Sequence, residues 1–170
     1  MGSGEEGALR LRRAEPGDEL AVAVVHVRSW QAGYRDLLPA AYLGQLRPSE
    51  RAARYTFGDP AGPETVLAEY AGDVAGFATI TVARDATGVG ELSALYVHPD
   101  RWGHGVGRAL IIDARDRLRR HGATAATLWV LAGNDRAQRF YRADGWRPDG
   151  ARREGTHGAA VTEVRYRRDL

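Results

Sequence analysis

Glu91 to Leu110 read ELSALYVHPDRWGHGVGRAL, a strand, a tight turn and a helix start in one run. Glu91 to Val97 has the apolar and aromatic content of a strand, which His98-Pro99-Asp100 ends. Gly103, Gly105 and Gly107 then open a helix expected from about Gly105 to Arg120. In it Leu110, Ile111, Ala114 and Leu118 make one apolar stripe, and Gly122 stops it. Glycines let backbone N–H groups converge on one point and let a ligand approach without meeting Cβ atoms. The helix start adds unpaired N–H donors and a partial positive charge. A phosphate or pyrophosphate fits there, with a charge-assisted contact from Arg108. The same glycines would equally serve a plain turn. A Walker A loop is excluded because the chain contains no Lys. A dinucleotide fingerprint fits poorly, since Leu110 stands where its third small residue belongs.

Downstream, Thr124 to Leu131 reads as a strand and Asn134 to Ala143 as a helix broken by Gly145. Trp146 begins a short strand, and after a polar loop Ala160 to Arg168 alternates as a closing strand. Upstream, Glu64 to Tyr70 turns through Ala71-Gly72-Asp73 into Val74 to Arg84, a hairpin. Before it come a strand at Leu9 to Arg13 and a helix from Leu20 to Tyr34 capped by Asp18. Short helices follow at Ala40 to Leu46 and Ser49 to Tyr55, begun by Pro39 and Pro48. This order predicts a mixed α/β (α+β) domain with a central sheet of about seven strands and flanking helices. Residues 1–7 read as a flexible leader and 8–170 as a single domain.

The composition, 44% hydrophobic and 27% charged over 170 residues, is that of one globular domain. With no Cys, disulfides, thiolate metal sites and cysteine nucleophiles are excluded. All 24 basic residues are Arg, scattered among 22 acids, so no basic stripe points to nucleic acid. No apolar run approaches the ~18 residues of a membrane span. These features together point to the cytoplasm. The five His lack metal-ligand spacing, so no metal is expected.

The strand ELSALYVHP, the turn RWGHGVGRAL, the strand TLWVLAGN and the helix NDRAQRFYRADGW, in this order, closely resemble the GNAT superfamily of N-acetyltransferases. The match is strong over residues 90 to 148 and looser in HVRSWQAGYRDLLPAAYL and VTEVRYRRDL. One departure stands out: Trp102 occupies the first position of the Gln/Arg-x-x-Gly-x-Gly signature. The resemblance implies that a bulge splays ELSALYV from its parallel neighbour TLWVL, with acetyl-coenzyme A in the resulting V. Leu95, Tyr96 and Val97 would pair with the pantetheine amides, and Gly103, His104, Gly105, Val106, Gly107 and Arg108 would hold the pyrophosphate. It also implies direct transfer of the acetyl group to an amine of a small molecule, peptide or protein, and a homodimer is common in the family. A non-catalytic acyl-CoA-binding module on the same fold is the alternative.

Single residues carry two readings each. Asn134 can cap the helix it precedes, or contact the cofactor as its family counterpart does. Tyr141 lies two helical turns further on the same face. It is either a core aromatic or, as the resemblance implies, the general acid toward the departing thiolate. Glu91 is either a solvated acid or the base that deprotonates the amine, with His98, His26 and Glu69 as fallbacks. His26, Trp30 and Tyr34 share one helical face. All three are either core or part of an acceptor pocket built by the N-terminal helices and the loop between the last two strands, with Trp30 and Tyr34 as its foremost residues. Trp129 is similarly open, and His104 and His157 read as surface loop residues.

Overall fold

The computed structural model describes residues 8–82 and 87–170. The elements run β1 (Leu9–Arg13), α1 (Glu19–Gly33), α2 (Ala40–Gln45), α3 (Pro48–Ala52), β2 (Glu64–Tyr70), β3 (Asp73–Thr81), β4 (Val89–Val97), α4 (Val106–Arg120), β5 (Ala125–Leu131), α5 (Asp135–Ala143), β6 (Arg147–Thr156) and β7 (Ala160–Asp169). A 3₁₀ turn at Pro99–Arg101 links β4 to the glycine loop. All seven strands form one mixed sheet of order β1-β2-β3-β4-β5-β7-β6. β4 and β5 are parallel and the other neighbours antiparallel. The β2–β3 hairpin closes on Ala71 and Gly72, with φ of 52° and 87°, the paired left-handed geometry that matches strand twist.

The two faces of the sheet follow from strand alternation. Leu92, Leu95 and Val97 of β4, with Ala126, Leu128 and Val130 of β5, pack on the α4 stripe of Val106, Leu110, Ile111, Ala114 and Leu118. Ala94 and Tyr96 face the other way, toward Val22 and Val25 of α1 with Leu67 and Phe77. Leu131 joins Leu38 and Leu43 around α2. Gly76 of β3 lets α4 nest on the sheet, for a Cβ there would lie 2.9 Å from the Tyr96 carbonyl oxygen and 3.0 Å from Val106.

Four expectations change. Asp18 stands at the start of α1 without capping it; its carboxylate accepts instead from Arg12 at 2.8 Å and from the Glu15 N–H at 2.8 Å. The third helix ends at Ala52, because turn-type bonds from Arg54 and Tyr55 carry the chain inward, where the Tyr55 hydroxyl meets His26 Nδ1 at 2.7 Å. Trp146, fully buried, lies outside the strand that follows it, and its N–H donates to the Tyr141 carbonyl at 3.0 Å. β6 is no short strand but a ten-residue one, so the expected polar loop is mostly paired with β7. The leader and Arg84 lie outside the described residues.

Candidate active site

β4 and β5 pair only through Val89↔Ala125, Gly90↔Ala126 and Glu91↔Thr127. Beyond Glu91 they part. The cause lies in β4: Ile80 faces Leu92 but Thr79 faces Ala94, so Ser93 is an extra residue, a bulge that bends the strand away. The gap opens into a cleft of about 420 Å³, within the range of a small-molecule site.

Glu91, Leu95, Tyr96 and Val97 from β4, Gly103, Gly105, Val106, Gly107 and Arg108 from the loop and α4, Asn134 and Tyr141 from α5, and Trp30 and Tyr34 from α1 all line this cleft. Of the expected cofactor-binding residues, His104 stands outside the lining; it is exposed, with Nδ1 2.9 Å from the Trp102 carbonyl oxygen. Gly103 and Gly105 have φ of 77° and 80°, a conformation glycine adopts without strain. No side chain caps α4, and its first intrahelical bond is Ala109 N–H to the Gly105 carbonyl, at 3.0 Å. Among the described residues the His104 N–H donates to the Arg101 carbonyl at 3.4 Å, while the N–H groups of Gly103 and of Gly105 to Arg108 have no such partner and are left for a ligand, so an anion fits there. Arg101, Arg108 and Arg136, also in the lining, enter no ion pair among the described residues and add positive charge at this end.

Trp102 fills the signature position in its own way. Its Nε1 donates to the Val97 carbonyl at 2.8 Å, and the Arg136 guanidinium lies 3.4 Å over its ring. The indole therefore joins the β4 arm of the cleft to α5.

Asn134 does both things its position allows geometrically: its Oδ1 accepts from the Ala137 N–H at 3.2 Å, and it lines the cleft. Tyr141 is buried among Phe140, Trp146 and Tyr166. Burial first, then the neighbouring Tyr96, push its hydroxyl pKa well above the ordinary phenol value. Burial likewise raises Tyr34 and Tyr96, so the cleft presents three protonated hydroxyls at neutral pH.

The fallback bases do not reach the cleft. His26 is buried against Trp30 and Tyr96, and desolvation, followed by the charge of Arg51, lowers its pKa to about 3. Glu69 is paired with Arg12 at 2.8 Å on β2, outside the cleft lining. His98 accepts from the Asp100 N–H at the 3₁₀ turn. His157, expected at the surface, instead packs edge-on against Trp30 at 5.1 Å and lines the cleft. Trp129, Arg153 and Glu163 also line it, from β5, β6 and β7. Alternation in Ala160 to Arg168 was the available signal for Glu163, but its partners come from two other strands.

The profile of the acetyltransferase (GNAT) family matches residues 28–146. The uncharacterized N-acetyltransferase YuaI of Bacillus subtilis is 32% identical over 126 residues, 73% of this chain and 72% of that one. Mycothiol acetyltransferase of Thermobispora bispora is 33% identical over 143 residues, 81% of this chain but 46% of its own length. Among solved structures, a GCN5-related N-acetyltransferase from Kribbella flavida superposes with TM-score 0.72 at 26% identity, covering 96% of this chain and 98% of that one. PaiA N-acetyltransferase from Thermoplasma acidophilum, solved with coenzyme A, gives TM-score 0.75 at 16% identity, covering 96% and 99%. The chain belongs to the GNAT acetyltransferase family, and it is an acetyl-CoA-dependent N-acetyltransferase acting on an amine. Among the described residues, no helix is long and apolar enough to cross a membrane.

Proposed function

We propose that the cleft between β4 and β5 transfers the acetyl group directly to an amine, with Glu91 as base and Tyr141 as acid. The observation that carries this reading is the early end of the β4–β5 ladder at Glu91↔Thr127, which leaves Glu91 at the apex of a cleft that Tyr141 also lines. Bound acetyl-coenzyme A supplies an acetyl thioester with a thiol leaving group. The edge at Leu95, Tyr96 and Val97, which has no partner in β5, aligns its amides as an added strand would, and the loop from Gly103 to Arg108 holds its pyrophosphate. Alternation puts Glu91 on the α1 face of β4, the side of Ala94 and Tyr96. From there it takes a proton from the acceptor's ammonium, directly or through water. A backbone N–H near Val97 meets the charge that develops on the carbonyl oxygen. Tyr141, fully protonated, gives its proton to the departing sulfur. Trp30 and Tyr34 wall the acceptor end, and holding both reactants in one cleft supplies much of the acceleration.

We assign the protein to the cytoplasm, a reading supported by the cysteine-free chain. The test is free-thiol release from acetyl-CoA over an amine panel, with Tyr141→Phe alongside. That variant keeps the ring and its packing, so its Tm stays within about 2 °C of the parent while turnover falls at least about tenfold. Full turnover in a stable Tyr141→Phe protein removes Tyr141 from the mechanism.

A further inference from the structure

The face of the β5-β7-β6 half-sheet turned away from α4 borders the acceptor end of the cleft, and its side chains converge on Trp129. Glu163, Arg165 and Arg167 of β7 stand opposite Leu131, Trp129 and Thr127, so all share the face turned away from α4. Arg153 of β6 stands opposite Glu163. The Arg153 guanidinium carbon lies 4.3 Å from the centroid of the Trp129 ring and that of Arg165 5.7 Å. Each guanidinium is held through Nε alone: Arg153 Nε donates to Glu163 at 2.6 Å, and Arg165 Nε to Asp149 at 2.7 Å. Among the described residues neither makes another hydrogen bond, so the Nη groups of both are open. Arg153, Trp129 and Glu163 belong to the cleft lining together with Glu91.

We propose that this pair of guanidinium edges over Trp129 is a carboxylate clamp, and that the acceptor is an amine bearing a carboxylate. Guanidinium forks match the two oxygens of a carboxylate, and an aromatic plane orients them. Arg167 also shares this face and enters no ion pair among the described residues, and the open Nη groups of Arg153 and Arg165 are what an anion meets there. The acceptor's ammonium then turns toward Glu91 while its carboxylate rests on Arg153 and Arg165. The inference rests on the acetyl-transfer reading of the cleft and adds the class of acceptor to it. Two sources present this chemistry: a free amino acid, or a peptide with an acidic residue at or next to its amino terminus.

The test pairs glycine with glycinamide, β-alanine with β-alaninamide, and L-alanine with L-alaninamide, followed by the C-terminally amidated peptides Asp-Ala-Ala and Asn-Ala-Ala. Thiol release gives kcat/KM for each, and calorimetry on the coenzyme A-loaded protein gives binding. The carboxylate member of at least one pair is expected to be preferred about tenfold or more, the worth of a charge-assisted contact. Arg153→Gln with Arg165→Gln should reduce that preference to about threefold or less, with KM for acetyl-CoA and Tm unchanged. Arg153→Lys, which keeps the charge but not the fork, should give an intermediate ratio. Equal use of both members, or a preference that survives in the double variant, overturns the clamp. If no amine is acetylated, loss of carboxylate binding in the double variant supports it, and no binding by the parent overturns it. Stabilisation of the parent by coenzyme A tests the cofactor site separately, so failure of the clamp and failure of the acetyl-transfer reading are told apart.

Discussion

Gly76→Ala is a one-methyl perturbation with a large expected effect. The new Cβ would lie 2.9 Å from the Tyr96 carbonyl oxygen, 3.0 Å from Val106 Cγ1 and 3.1 Å from Leu110 Cδ1. Val106 and Leu110 are 1% and 0% exposed, so neither side chain has room to retreat. The backbone oxygen belongs to a strand locked in the sheet. Overpacking of this kind costs about 1–3 kcal/mol. For a domain of this size that is a fall in Tm of about 3–10 °C. Because Tyr96 and Val106 both line the cleft, coenzyme A affinity should fall with stability. Gly44→Ala is the internal reference: it adds the same methyl in α2, where nothing lies within 4 Å, and should raise stability by up to about 1 kcal/mol. Urea and thermal unfolding of both variants, with calorimetric titration of coenzyme A, measure the contrast. A Gly76→Ala protein as stable as the parent would refute the nesting of α4 on β3.

Gly105→Val should weaken coenzyme A binding more than tenfold and destabilise by about 1–2 kcal/mol, since φ there is 80°. Unchanged affinity in calorimetry would rule out the loop as the anion cradle. Glu91→Gln should lower turnover and erase the acidic limb of the pH–rate profile while leaving acetyl-CoA affinity intact. An unaltered profile would hand the proton to water or another group. His26 is neutral when folded, with its pKa lowered to about 3 from 6.5, so the unfolded chain binds the extra proton between those values. Stability from this group is complete above about pH 6.5 and is lost on acidification, by up to about 1.4 kcal/mol per pH unit. His26→Gln should flatten the slope of unfolding free energy between pH 6.5 and 5, and an identical slope would contradict the burial of a neutral ring.

The central block from Glu91 to Arg120 was legible because its signals are local. A strand, a run of glycines and an apolar stripe at helical spacing each report on neighbours in sequence. Asp18 misled for the opposite reason: Arg12, six residues away, competes for its carboxylate more strongly than the helix does. β6 was hidden because Arg147–Thr156 is exposed over most of its length and carries no apolar alternation. Tyr141 could be picked out from its spacing to Asn134. The meeting of Trp129, Arg153 and Glu163 could not, since three strands distant in sequence bring it about. His157 looked like a loop residue and is one, but its loop folds over Trp30.

The parting of β4 and β5 also bears on how this chain keeps to itself. A strand edge with free N–H and C=O groups is a template for any passing chain, and folded proteins protect such edges. The outer edges of this sheet are β1 and β6, and both are blunted by charge, with Arg10, Arg12 and Arg13 on one and Arg147, Arg152 and Arg153 on the other. Apolar free edges occur instead in the interior, where β4 and β5 face each other between α1 on one side and α4 with α5 on the other. Such an edge admits a slender, unbranched chain end-on but turns away a second sheet. The opening the chemistry requires is thereby kept from becoming a site of aggregation.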